Sequence, residues 1–260
     1  MPAERQVAVF FSHGSPMAAI EEADPYAEAV REFGRRRPRP RAIVMVSAHW
    51  QERRPVRVTA WKSRPVIHDF SGFPEELYRL SYPAPGDEGL AAEIAAMLGD
   101  AVLDRERGLD HGAWVPLRYA WPEADIPVVQ VSLPDGATPR ELWELGRRLR
   151  PLRELDVLVA GSGGIVHNLR RVVFRDKQAP VEAWAAEFDG WVAERLDGSR
   201  FEELLVYRTE APHASLAVPT TEHFDPMFCV LGAAFDGERA RSFYEAFQYG
   251  NLSMRCFSVT

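Results

Sequence analysis

The stretch QVAVFFS, residues 6–12, is a short apolar run that leads directly into the turn residues His-Gly-Ser-Pro. An apolar run of about four to eight residues that stops at Gly and Pro is typical of a buried strand followed by a tight turn. The pattern returns at Ala42–Ala48 (AIVMVSA), Ile126–Leu133 (IPVVQVSL) and Asp156–Ser162 (DVLVAGS). These runs predict the central strands of one sheet.

Segments with helical spacing lie between the predicted strands. Strands that alternate with helices predict an α/β fold, with a central sheet that is mostly parallel or mixed and helices on both of its faces. No long Pro/Gly/Ser linker divides the 260 residues, so we expect a single domain over residues 1–260. The predicted helices include Asp24–Gly34, Glu88–Leu98, Pro139–Leu149, Pro180–Leu196 and Asp225–Ala234, and Leu252–Val259 is predicted as a closing strand.

Composition and charge exclude several classes of protein. The chain is 46% hydrophobic, 27% charged and carries a net charge of −7, which argues against disorder and against a nucleic-acid binder, despite the basic stretch RRRPRPR at 35–41. No apolar run reaches the ~18 residues of a membrane span. Met1–Arg5 leads into a strand and not into a signal peptide, and Cys229 and Cys256 lie in apolar settings typical of buried, reduced thiols. We therefore expect a cytoplasmic protein.

The histidines indicate where the chemistry lies. His13 and His49 directly follow predicted strands, His167 follows a strand and a Gly-rich turn, and His111 stands in an Asp-His-Gly turn. In open α/β sheets, ligands bind beyond the carboxyl ends of the strands, so we expect these imidazoles to converge. Imidazole is the commonest protein ligand for zinc, iron and copper. The sequence therefore predicts a metal site at this edge of the sheet.

A set of motifs, taken in order, resembles a known family. The resemblance runs from about residue 8 to the carboxyl terminus. The chain resembles the class III extradiol ring-cleaving dioxygenases, and most closely their branch of 4,5-DOPA dioxygenase type. The motifs are FFSHGSPM (10–17), VSAHW (46–50), HDFSGFPEELYRLSYPAPG (68–86), LDHGAWVPL (109–117), IPVVQVSL (126–133), SGGIVHNLR (162–170) and EHFDP (222–226).

This resemblance implies an Fe(II) enzyme without haem that uses O₂ to open a catechol ring next to its two hydroxyls. It implies that His13, His49 and His223 are metal ligands. His167 lies at the metal in this branch, whereas the matching position in the wider class is a base that does not touch the metal. His111 matches an acid/base histidine beside the substrate.

One departure from the wider class concerns the third ligand. That class uses two histidines and one carboxylate, whereas His223 stands here beside Glu222. Adjacent side chains of an extended segment point to opposite faces, so we expect His223 and not Glu222 to reach the metal. A site built from nitrogen ligands also accepts zinc, which binds more tightly than Fe(II). Zinc is therefore expected to compete for the site.

Three residues are predicted to contact the substrate, and two alternative functions stay open. His68 and Trp50 are expected to border the pocket, and Arg170 is expected to pair with a carboxylate of the substrate. The alternatives are a zinc-dependent hydrolase that uses the same histidines and a metal-binding protein without enzymatic activity. The expected partners are a small catechol and O₂, without nucleic acid or membrane, for a monomer or a small homo-oligomer.

Overall fold

The computed structural model describes residues 5–260, so most of the expectation for Met1–Arg5 lies outside the described residues. One sheet of eight strands has the order β4-β3-β5-β2-β6-β1-β10-β7, and β8 pairs with β9 in a separate ribbon. The strands are β1 Ala8–Ser12, β2 Ala42–Glu52, β3 Arg57–Thr59, β4 Val102–Asp104, β5 Val128–Pro134, β6 Val157–Gly163, β7 Ala240–Tyr244, β8 Phe247–Gln248, β9 Leu252–Ser253 and β10 Cys256–Val259. The helices are α1 Pro25–Arg36, α2 Glu88–Leu98, α3 His111–Ala120, α4 Pro139–Leu149, α5 Ala183–Asp197, α6 Tyr207–Glu210, α7 Ala214–Ala217 and α8 Asp225–Gly232.

The sheet is mixed, as the sequence predicted. Strands β5, β2, β6 and β1 are parallel neighbours, and their carboxyl ends therefore meet at one edge. Antiparallel pairs flank this parallel core, because β10 pairs with β1 and with β7, and β3 pairs with β5.

Helices cover both faces of the sheet, which confirms the predicted α/β class. Successive side chains of a strand point to opposite faces. Phe10 of β1 packs in a core with side chains of α2, α4, α5 and α8, whereas its neighbours Val9 and Phe11 pack in a second core with α1 and α3. In the part of the chain that the structure describes, no helix has both the length and the apolar character that crossing a bilayer requires.

Two predicted strands differ from the observed ones near the carboxyl edge. β2 does not stop at Ala48 but continues to Glu52, and its pairing with β5 is irregular between Val46 and Gln51. Such bulges redirect side chains near active sites, and this one contains His49. The predicted strand over residues 252–259 is broken into β9 and β10, which belong to different sheets. Strands β4, β7 and β8 were not predicted.

Close packing of α4 against α8 depends on glycine. A Cβ atom at Gly146 would lie 2.0 Å from the carbonyl oxygen of Cys229, which as backbone cannot turn away. We expect Gly146→Ala to lower the free energy of unfolding by about 1–3 kcal/mol through overpacking. Urea denaturation measures this. Gly190→Ala on α5, where no atom lies within 4 Å of the added Cβ, is the control and should stabilise by about 0.5–1 kcal/mol. Equal loss in both variants would contradict the packing argument.

Candidate metal centre

Two imidazoles meet at the carboxyl edge of the parallel strands. His13 directly follows β1 and is held there because its backbone N–H donates to the carbonyl of Gly163 on β6. The Nε2 atoms of His13 and His49 lie 2.9 Å apart, and His13 Nδ1 lies 2.9 Å from Ser162 Oγ. Two nitrogens that face each other must either share one proton or bind the same cation. The pair is therefore suited to a metal ion.

His111 completes a first group of three. It is the first residue of α3, whose amino terminus is capped by the Asp110 carboxylate, which accepts from the backbone N–H of Ala113. The ring centre of His111 lies 4.0 Å from that of His49 and 5.3 Å from that of His13. Ligand atoms of His13, His49 and His111 all lie within 4.8 Å of one another, so this group could hold a metal ion.

His167, Glu222 and His223 form a second group, whose ligand atoms also lie within 4.8 Å of one another. The rings of His167 and His223 are stacked with their centres 3.5 Å apart, and His223 Nδ1 lies 3.2 Å from Glu222 Oε1. The expectation that Glu222 points away from His223 is wrong, because these residues form a turn before α8 and not an extended segment. Glu222 therefore contacts the imidazole of His223, and its carboxylate could itself reach an ion bound by this group.

The two groups share one cavity. The ring centre of His223 lies 5.3 Å from that of His13 and 4.9 Å from that of His49. Burial, followed by repulsion from neighbouring imidazoles, lowers the pKa of His49 to about 3. Burial is also the main cause that lowers the pKa of His167 and His223 to about 4. These imidazoles are neutral at pH 7, the form that binds metal, so the donor set fits an ion.

A carboxylate lies between two of the imidazoles. Asp69 Oδ1 accepts from the backbone N–H of His111, and Oδ2 lies 3.0 Å from His111 Nδ1 and 3.6 Å from His49 Nδ1. Burial tends to raise the pKa of Asp69, but the contacts with His111 outweigh it and lower the pKa to about 2. The sequence argument missed Asp69, although it directly follows His68 in a quoted motif. It also missed Ser162 beside His13.

The cavity has a volume of about 430 Å³. The histidines at positions 13, 49, 111, 167 and 223 line it together with apolar and hydroxyl side chains, among them Phe70 and Phe73. The sequence pattern predicted that His13, His49, His111 and His167 converge, the family resemblance added His223, and all five line this cavity.

The structure does not bring the three predicted substrate contacts into this cavity. Trp50 is 2% exposed, donates from Nε1 to Glu52, and its ring packs under the guanidinium of Arg107, outside the cavity lining. Arg170 is exposed on a turn beside the cavity. His68 Nε2 contacts the carbonyl oxygen of Leu80, 3.2 Å away, outside the cavity wall.

The metal-free protein should lose stability as the pH falls from about 6.5 towards 4. In this window the unfolded chain protonates its histidines, whose ordinary pKa is 6.5, while His167 and His223 stay neutral in the fold. Protons then favour unfolding, by up to about 1.4 kcal/mol per pH unit for each such group. Denaturation in the presence of a chelator measures the slope. His223→Ala should reduce it and the exposed His213→Ala should not, and a flat profile would contradict the prediction.

Asp69→Asn should weaken metal binding by about 10- to 100-fold, the usual effect of removing a carboxylate that orients a ligand histidine. The substitution keeps the shape of the side chain but removes the charge that faces His49 and His111. Competition with a chromophoric chelator measures the affinity. The control is Asp100→Asn, an exposed carboxylate outside the cavity. Unchanged affinity in Asp69→Asn would exclude an orienting role.

Comparison with known proteins identifies the family. The model of the family described as "Catalytic LigB subunit of aromatic ring-opening dioxygenase" matches residues 7–254. The chain is 39% identical to "4,5-DOPA dioxygenase extradiol" of Escherichia coli (strain K12), over 98% of this chain and 94% of that protein. It is 38% identical to the protein of the same name from Beta vulgaris, over 96% of this chain and 95% of that protein.

A solved structure agrees with this grouping. The crystal structure of an uncharacterized protein from Escherichia coli K12 superposes with a TM-score of 0.83 at 34% identity, and covers 98% of this chain and all of that one. Its fold matches the mixed sheet and helices described above. The chain therefore belongs to the LigB family of class III extradiol dioxygenases and is a metal-dependent, ring-cleaving dioxygenase.

Proposed function

We propose that this enzyme opens the ring of a catechol next to its two hydroxyls, with O₂ as co-substrate and Fe(II) as the metal. The observation that carries the proposal is the convergence of neutral imidazoles in a cavity of about 430 Å³, a size within the usual range for small-molecule sites. Relatives are named for 4,5-DOPA, so DOPA-like catechols are the first members of the class to test.

Four of the imidazoles are proposed to lie at the metal, three of them as its ligands. His13, His49 and His223 are the ligands, and His167 lies at the metal beside His223, with which it stacks. When bound, iron would supply the Lewis acidity and the redox chemistry that bring catechol and O₂ together. Ser162 and Glu222 fix two of the ligands, because each lies within 3.2 Å of a ligand Nδ1 atom. Zinc suits the same nitrogen donors and would compete.

His111 and His167 are proposed to move protons during the reaction. The carboxylate of Asp69, 3.0 Å from His111 Nδ1, favours a proton on that nitrogen and leaves Nε2 to accept one from a catechol hydroxyl. His167 is neutral at pH 7 and is proposed as the second group of the acid/base pair. Each such proton transfer is worth about 10²–10⁴-fold in rate.

Location and domain organisation follow as smaller proposals. We propose one catalytic domain over residues 1–260. A cytoplasmic location suits Cys229 and Cys256, which are both buried and free. The partners are a small catechol and O₂, for a monomer or a small homo-oligomer.

Anaerobic loading with Fe(II), followed by air and a panel of catechols, tests the proposed function. We expect a yellow ring-opened product that requires both Fe(II) and O₂. Zinc-loaded protein serves as the matched control and should be inactive. Hydrolysis of esters or amides without O₂, and no product from catechols, would favour the zinc hydrolase. Tight metal binding without any turnover would favour a protein that only binds metal.

A further inference from the structure

The buried carboxylate of Asp110 joins four parts of the fold outside the lining of the cavity. Asp110 is 0% exposed, and each of its oxygens accepts two hydrogen bonds. Oδ1 accepts from the hydroxyl of Ser47 at 2.6 Å and from the backbone N–H of Ala113 at 3.1 Å. Oδ2 accepts from the side-chain amide of Gln130 and from Arg107 Nη2, which lies 3.3 Å away. Strands β2 and β5, helix α3 and the loop before α3 therefore meet at one anion.

Two of these donors also hold the backbone of His49. The hydroxyl oxygen of Ser47 accepts from the backbone N–H of His49 at 3.2 Å. Arg107 Nη2 donates to the carbonyl oxygen of His49 at 2.8 Å. His49 lies in the part of β2 whose pairing with β5 is irregular, so strand pairing alone does not fix it. Both contacts that hold His49 are therefore anchored on Asp110.

The same carboxylate fixes His111. Asp110 directly precedes His111 and caps the first turn of α3, which begins at His111. This turn approaches β2 closely, because a Cβ atom at Gly112 would lie 2.5 Å from Ser47 Oγ and 2.9 Å from His49 Cδ2. The ring centres of His49 and His111 lie 4.0 Å apart. One buried anion therefore contacts the supports of both imidazoles.

The hydrogen bonds around Asp110 fix directions more than they stabilise the fold. Removing a carboxylate from water costs free energy that its partners offset, so a buried ion pair is weak evidence for stability. A hydrogen bond, in contrast, weakens steeply when its angle departs from linearity, and four of them define where the carboxylate and its donors lie. The network is therefore suited to hold His49 and His111 in one geometry.

We propose that Asp110 is a positioning residue that sets the separation between His49 and His111. It acts on His49 through Ser47 and Arg107, and on His111 through the first turn of α3. The inference rests on the proposed function, because it takes His49 as a metal ligand and His111 as the group that moves a proton. The separation matters because a displacement of about 1 Å at a reacting group can lower a rate by about 10²-fold.

Asp110→Asn is the first test. The new side chain can keep the bonds to Ser47 and Ala113, but its amide N–H groups would face the donors of Gln130 and Arg107. We expect the affinity for Zn²⁺, measured by competition with a chromophoric chelator, to fall by about 10- to 100-fold, and kcat at saturating Fe(II) to fall by a similar factor. KM for the same catechol should change by less than about threefold, since the cavity wall is not altered.

A compensating substitution separates positioning from a general loss of structure. Asp110→Asn combined with Gln130→Glu exchanges the amide and the carboxylate, so that the amide at position 110 again faces an acceptor and Arg107 again faces an anion. This double variant should recover at least about tenfold of the lost affinity and of the lost kcat. Ser47→Ala keeps the charge of Asp110 but removes one contact to His49, and it should lower the affinity for Zn²⁺ by about tenfold.

Glu238→Gln is the matched control. Glu238 accepts from two nitrogens of Arg153, at 2.7 and 2.9 Å, and from the backbone N–H of Phe235, so it is a similar acid. It lies at the opposite end of the sheet, because Arg153 also donates to the carbonyl oxygen of Gln6, ahead of β1. Urea denaturation should show a loss of stability in this variant, while the affinity for Zn²⁺ and kcat stay unchanged.

The outcomes are distinguishable. Loss of both affinity and kcat in Asp110→Asn, with recovery in the double variant, supports the proposal. A folded Asp110→Asn protein that loses only one of these quantities, or neither, overturns it, as does a double variant that recovers neither. If Asp110→Asn does not fold, unchanged affinity for Zn²⁺ in Ser47→Ala overturns it. A wild-type protein that cleaves no catechol would refute the proposed function, whereas weaker Zn²⁺ binding that the double variant restores would still support the positioning of His49.

Discussion

Replacing His13 with alanine is expected to remove the metal ion and, with it, ring cleavage. His13 is 2% exposed, so water replaces its imidazole poorly, and its Nε2 atom lies 2.9 Å from that of His49. Removing a residue that only orients a metal ligand usually lowers the metal affinity by about 10- to 100-fold. Removing the ligand itself should lower the metal affinity further, by more than about 100-fold. Turnover should then fall to the level of the metal-free protein.

Metal analysis after reconstitution and ring-cleavage assays measure the two effects. The control is His213→Ala, because His213 is exposed and pairs with Glu187 away from the cavity, so the same chemical change should leave both quantities intact. Circular dichroism establishes that the variant is folded. A His13→Ala protein that still holds one metal ion per chain would remove His13 from the ligand set. His49→Ala should behave as His13→Ala does.

The fold was predictable where a single physical signal marks both ends of an element. The bounds of α4 are the predicted ones, since Thr138 and Glu141 form a capping box around Pro139. The bounds of α2 also agree, between the cap at Asp87 and the positive φ of Gly99. Strand β4 has three residues with partly exposed side chains, too few for an alternation to be read. The part of β2 past Ala48 was not predicted, because a bulge breaks the sequence pattern of the strand there.

Three histidines of the site, His13, His49 and His167, were predictable because they follow strands, whereas His223 was expected only from the family resemblance and the supporting residues were not predicted at all. The position of His13 and His167 beyond β1 and β6 follows from the parallel sheet alone. Asp69 acts from a loop that only the tertiary structure brings against His49 and His111. Trp50 illustrates the converse error, because it adjoins His49 in sequence but is buried against Glu52 and Arg107 and not in the cavity.

His111→Ala is expected to separate metal binding from catalysis. The imidazole lies at the amino end of α3, and its Nδ1 atom faces Asp69. In the proposed mechanism it moves a proton and does not hold the metal. We therefore expect one metal ion per chain to remain, while kcat falls by about 10²–10⁴-fold, the usual contribution of an acid/base group. Metal analysis, together with kcat and KM for one catechol, measures this.

The result also decides between two interpretations that the geometry allows for His111. Its ligand atom lies within 4.8 Å of those of His13 and His49, close enough for a shared ion. If His111→Ala loses metal as His13→Ala does, then His111 is a ligand and the proton transfers fall to His167 alone. If metal and turnover both persist, His111 has neither role. Only retained metal with reduced turnover supports the proposed division, in which His13, His49 and His223 bind and His111 transfers the proton.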